Sequence, residues 1–179
     1  MDIRIRDAEG TEDQPFLLWD TVWDQNNLSA YFADWQLAGP NAPNNAYGLA
    51  ANHALNTAVL LSLFSWRRAE EYDVLPSGTD PQGWWGDAID LQDSETALGS
   101  RLWLLIRAPL NANTANLAQD YAYEALQPLI DQGAVAKWVC TATVDQVQGF
   151  LTLAVDGYSQ DGQLIYSQKF ERIWRQEFP

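Results

Sequence analysis

The residues that could carry chemistry are few, and most of them lie between Thr57 and Leu105. Asp80, Asp87, Asp90, Asp93 and Glu95 form an acidic run beside the tandem Trp84-Trp85. Such a pairing could supply an acid and a base for glycoside cleavage over an aromatic sugar platform. Any acidic loop contains such pairs, so the signal is weak. The Asp87-x-x-Asp90-x-x-Asp93 spacing lacks the alternating ligands and central glycine of a calcium loop. The single histidine, His53, and single cysteine, Cys140, are far apart in sequence. They give neither a zinc ligand set nor a nucleophile–base pair. Gly83-Trp-Trp-Gly86 is no phosphate loop, because indoles stand where a phosphate needs bare backbone. No cofactor or metal site is expected.

What remains is a surface made for contact. Arg67, Arg68 and Arg101 can each fork onto a carboxylate, and the nearest acids are Glu70, Glu71, Asp73 and Asp87 of the same chain. An internal clamp joining Arg67, Arg68 and Arg101 to Asp87 would tie down the long loop. Nine tryptophans exceed what a core of this size readily absorbs, since each buried indole N–H needs an acceptor. Trp84 and Trp85 fit either a lid over the core or a contact site.

Composition bounds the rest. The 179 residues suit one ordinary domain with an arm, and 47% hydrophobic content is that of a globular protein. Twenty-four acids against ten bases give a net charge of −14, which argues against naked nucleic acid as a partner. No apolar run is long enough for a bilayer span, and Met-Asp-Ile-Arg-Ile-Arg is no signal peptide, so no membrane partner is expected. The charge is uneven: Glu70 to Glu95 holds eight acids and no base, whereas Lys169, Arg172 and Arg175 outnumber the acids after Gly162. This asymmetry reads either as a solvated loop or as electrostatic register with a neighbouring protein.

The elements that position these residues read as an α+β domain. Residues 1–45 form an arm: Ile3 and Ile5 alternate with arginines, Phe16–Trp23 and Ala30–Leu37 suit short strands, and a Pro/Asn-rich loop follows. Residues 46–179 form the main domain. Leu55–Ala69 reads as a buried helix, capped by Asn52 or Asn56 and with Arg67 and Arg68 in its last turn. Val74–Gly86 is a breaker-rich connection, and a short helix from Ser94 or Ser100 ends at Pro109. Thr114 is expected to cap a third helix that Pro128 ends or kinks and Gly133 terminates. The period then changes to two. Val135–Val144, Phe150–Tyr158 and Leu164–Trp174 read as antiparallel strands, the last two joined at Asp161-Gly162. As the last element, Leu164–Trp174 is a candidate edge strand, with Leu164, Tyr166, Phe170, Arg172, Trp174 and Arg175 as candidate contacts.

These motifs resemble the small baseplate protein family of Mu-like contractile-tailed phages, the product of Mu gene 46. The residues that carry the resemblance are Trp35-Gln-Leu-Ala-Gly39, the helix Thr57–Phe64, Arg67-Arg-Ala69, Leu75-Pro76, Gly83-Trp-Trp-Gly-Asp87, Gly99-Ser-Arg-Leu-Trp-Leu-Leu105, and Asp131-Gln-Gly-Ala-Val135. Coverage is about residues 30–174. The chain departs from the pattern in a longer front (residues 1–29) and in Ser65-Trp66, where a small polar pair is expected. The family is distantly similar to the small wedge protein of T-even phages, the gene 25 product. The resemblance implies a non-enzymatic wedge part of a phage or tailocin baseplate, present in several copies. It further implies larger wedge subunits, hub or spike proteins and tail sheath protein as partners, with a β-edge on which sheath initiates. A tail-associated glycan hydrolase using the 80–95 acids and a tail-assembly chaperone are the alternatives.

Overall fold

The computed structural model describes residues 21–23, 33–35, 39–41, 47, 54–91 and 95–175, with backbone alone at 21–23, 33–35, 54, 90 and 171–175. The chain divides into two compact units, Met1–Val59 and Leu60–Pro179. The first contains an antiparallel pair, β1 (Thr21–Trp23) and β2 (Ala33–Trp35), with Thr21 opposite Trp35. Both strands fall inside the expected segments. The Ile3/Ile5 strand, the Asn52 cap and His53 lie outside the described residues.

Helix α1 (Ala54–Phe64) is shorter than the sequence suggests and stops five residues before Ala69. The reason is a competing backbone partner. Ser65 O accepts from Ser100 N at 3.0 Å and Ser100 O accepts from Arg67 N at 3.1 Å, which pulls the chain out of helix into a parallel bridge. Arg67 and Arg68 therefore do not sit in the last helical turn, and Asn56 lies inside the helix, not at its cap. Gly99 makes the bridge possible: its φ is +100°, and an added Cβ would meet the Ser65 carbonyl.

The expected short helix after Ser100 is a 3-10 helix, Leu102–Arg107, whose Leu102, Trp103, Leu104 and Leu105 are all buried. Four consecutive buried side chains suit a tight turn plugged into the core better than an amphipathic α-helix. A short α2 (Asp87–Asp90), absent from the sequence reading, follows the tandem tryptophans.

Helix α3 (Ala112–Asp131) is capped by Asn111, whose Oδ1 accepts from Thr114 N at 3.0 Å. Thr114 is thus the third helical residue and not the cap; its hydroxyl donates to Pro109 O at 2.6 Å. Pro128 does not end the helix, which runs on for three residues until Gly133 takes φ +75°. The buried stripe Thr114, Ala118, Ala122, Ala125, Leu126 and Leu129 follows the helical period, and its small residues let the sheet approach closely.

The sheet order is β3-β4-β5, all antiparallel: β3 (Lys137–Asp145), β4 (Phe150–Tyr158) and β5 (Leu164–Arg175). In the central strand Leu151, Leu153 and Val155 are fully buried, and burial alternates from Leu153 onward; Thr152 is buried on the opposite face. Trp138 of β3 fills the space under α3, donates its indole N–H to Leu126 O at 3.1 Å, and occupies the room left by Gly157. The turn at Ser159–Gly162 closes with Gly162 N on Ser159 O at 3.0 Å and φ +77° at Gly162. The observed class is the α+β expected from sequence: few helices followed by a three-stranded antiparallel sheet.

Candidate assembly surface

Three regions gather the residues singled out above: an arginine cluster, the tandem-Trp loop and the outer strands of the sheet. The arginine cluster is internal. Arg101 reaches Asp73 through Nη1 (3.1 Å) and Glu124 through Nη2 (2.8 Å) and Nε (3.2 Å). Its guanidinium also lies 4.8 Å from the centroid of the Tyr121 ring and within 3.5 Å of Tyr72 Oη. Arg67 joins the same Glu124 at 3.3 Å. Burial works against the charged form of Arg101, but the hydrogen bonds it donates to Glu124, Asp73 and Tyr72 outweigh it and hold the guanidinium protonated beyond its ordinary range. The same surroundings raise the Tyr121 phenol, first by burial and then through the Asp73 charge. The sequence pointed to Asp87 as a clamp carboxylate and missed Glu124. Nothing near Glu124 in sequence marks it; it meets Arg101 because α3 carries it there.

Asp87 has a different task. Its carboxylate accepts from Leu98 N at 3.2 Å, closing the loop across the residues between them. No ion pair joins it to Arg68, which is exposed and packs its Cβ against the Gly83 backbone. The loop is held instead by main-chain bonds: Ala69 N donates to Pro81 O at 2.9 Å, and the Trp103 indole donates to Arg67 O at 2.9 Å. Ala69, Trp103 and Leu104 form a small core here, with Leu75 and Tyr121 packed on it.

Trp84 and Trp85 do not cover this core. Their ring centroids are 5.6 Å apart, and the Trp84 ring lies across Gly86, where any Cβ would collide with it. Trp85 is 72% exposed. Trp66, also exposed, leans on Trp103 at 6.2 Å.

The two outer strands differ. Along β3, the Ala142 N–H is taken by the Gln119 side chain of α3 at 3.0 Å, and α3 packs over the strand. That covers part of the β3 rim. Among the described residues β5 is the other outer strand of the sheet. Among its candidate contacts, Leu164 is exposed, Phe170 meets Phe64 edge-on at 5.2 Å, and Tyr166 is buried against Trp138 at 5.8 Å. Tyr166 thus faces the core, and burial raises its phenol well beyond the ordinary tyrosine range. The side chains of Arg172, Trp174 and Arg175 lie outside the described residues; their backbone continues β5, with Trp174 opposite Leu151 and Arg175 opposite Phe150. Among the described residues no group of three His, Cys, Asp or Glu could hold a metal ion, and no helix is long and apolar enough to cross a membrane.

The sequence is similar to those of known phage proteins. The family model described as phage protein GP46 matches residues 55–164, which span α1, the arginine cluster, the Trp loop, α3, β3, β4 and the first residue of β5. The baseplate protein gp46 of Escherichia phage Mu is 35% identical over 133 residues, covering 73% of this chain and 88% of that protein. The Mu-like prophage FluMu protein gp46 of Haemophilus influenzae is 33% identical over 114 residues, covering 64% of this chain and 75% of that protein.

Proposed function

The chain belongs to the GP46 family of phage proteins, and from that premise we propose that it is a structural component of a phage tail baseplate. In finer detail, it is a wedge part of a contractile tail. It joins larger wedge subunits around the hub, is present in several symmetric copies, and offers β5 as the strand on which the first sheath subunits build. Its business is contact and not turnover: Arg67 and Arg101 are spent on internal acids, and Asp80 and Asp87 are engaged by the backbone N–H groups of Gln82 and Leu98.

The observation that carries the finer reading is the asymmetry of the sheet. One outer strand has a rim amide satisfied by Gln119, whereas β5 is twelve residues long and is the other outer strand among the described residues. An outer strand of that length is a template for a strand from another chain.

Backbone N–H groups alternate sides along a strand, so of Ser167 and Gln168 one points at β4 and the other away. Proline at the inward position should lower the melting temperature; proline at the outward position should leave it nearly unchanged yet abolish sheath on assembled tails. Full-length sheaths on tails carrying the well-folded outward variant would remove β5 as the initiating edge.

A further inference from the structure

The Trp loop has a property that strand pairing does not use. Trp85 and Ile89 are each 72% exposed, Trp85 in the turn that leads into α2 and Ile89 within it. Trp84 packs beside Trp85 and Leu91 follows, so four exposed large apolar side chains lie within one short stretch of chain, Trp84–Leu91.

The patch is held in place before any partner arrives. Trp84 O, Trp85 O and Gly86 O accept from Asp87, Ala88 and Ile89 N–H at 3.1–3.2 Å, closing the turn. Asp80 Oδ1 takes Gln82 N–H at 2.9 Å, and Asp87 ties the far side to Leu98. Pro81 O accepts from Ala69 N–H, and Gly83, at φ +119°, lies where an added Cβ would crowd Arg68. A rigid aromatic anchor loses little entropy on docking.

The surround is acidic. Asp80 is exposed four residues before Trp84, and Glu70 and Glu71 are exposed just after Ala69, whose N–H bonds Pro81 O; all three belong to the stretch of eight acids that holds no base. We infer that the Trp84–Leu91 turn is a preformed knob that docks into an apolar slot rimmed by Lys and Arg on a different protein. A second copy of this chain is the wrong occupant, because each copy carries −14 and would set acid against acid. The inference stands without the baseplate reading.

The purified full-length chain is titrated into a labelled amphipathic peptide of leucine and lysine, with a leucine–glutamate counterpart as control, and binding is followed by fluorescence anisotropy. The leucine–lysine peptide should bind, more weakly as salt rises, and the glutamate peptide should not. The double variant Trp85→Ala/Ile89→Ala keeps every charge, and its targets are exposed, so its melting curve should match the parent. It should bind at least about tenfold more weakly, as loss of an aromatic anchor does. Binding within twofold of the parent would show that net charge alone attracts the peptide and would overturn the proposal, as would no binding at all. Self-association in sedimentation that disappears in the double variant would overturn it too, by making a second copy the occupant.

Discussion

Replacing Arg101 with alanine should cost this fold more than any other single arginine change among the described residues. The guanidinium side chain is 12% exposed and its partner Asp73 is 6% exposed, so both charges have given up most of their hydration. Glu124 is 34% exposed and keeps Arg67 at 3.3 Å, so it is compensated when Arg101 goes. Asp73 loses its guanidinium, and its carboxylate then keeps only the Glu70 backbone N–H at 2.9 Å. Stranding a buried partner costs about 3–5 kcal/mol in fully buried pairs. The exposure of Glu124 and the remaining bond to Asp73 bring the expectation here to about 3 kcal/mol. For a chain of this size that corresponds to a drop of roughly 6–12 °C in melting temperature. Arg101→Lys keeps one charge but not the fork across two acids, and should fall between the parent and Arg101→Ala. Arg107, exposed at the end of the 3-10 helix, serves as the control. Calorimetric melting of the four proteins at one ionic strength decides the matter. If Arg101→Ala melts within about 2 °C of Arg107→Ala, the cluster does not hold the loop to α3 and this reasoning fails.

Three further outcomes follow from the structure. Gly99→Ala meets the Ser65 carbonyl at φ +100°, whereas Gly133→Ala has open space at φ +75° and carries only conformational strain; the first should cost about 3 kcal/mol and the second about 1 kcal/mol, and equal melting temperatures would refute the role of the Ser65–Ser100 bridge. Burial, and after it the Asp156 charge, pushes the Cys140 thiol up to about 11, so its reaction with a disulfide reagent at pH 8 should be roughly a hundredfold slower than a free thiol and should accelerate up to about pH 11. Because that thiol is held neutral in the fold, and buried Tyr166 likewise, stability is complete below the unfolded-state values and is lost as pH rises through the 9–11 range; a melting temperature unchanged from pH 8 to pH 11 would contradict this.

The parts of the fold that could be read in the sequence are those decided by local periodicity. β4 coincides with Phe150–Tyr158 because its alternation is set by burial on one face, and the last turn follows from Asp161-Gly162. What could not be read was decided by distant partners. Leu55–Ala69 carries a helical pattern to its end, but the Ser100 backbone, far away in sequence, captures Ser65 and Arg67. The Arg101 clamp was legible as an arginine needing a carboxylate and illegible as to which: Asp87 was near in sequence, while Glu124 is near only once α3 has packed. Thr114 looked like a cap because threonine commonly is one, yet Asn111 was three residues upstream and took the role. For the tryptophans, composition signalled excess but not location. Trp103 and Trp138 are core residues with indole acceptors, and Trp84 and Trp85 are turned outward.

The most direct test of the central claim, a structural part built into the baseplate, is quantitative mass spectrometry of purified tail particles. This chain should be found in the finished particle at a fixed ratio to the other baseplate proteins. Its absence from finished particles, with the protein abundant in the producing cell, would contradict the account.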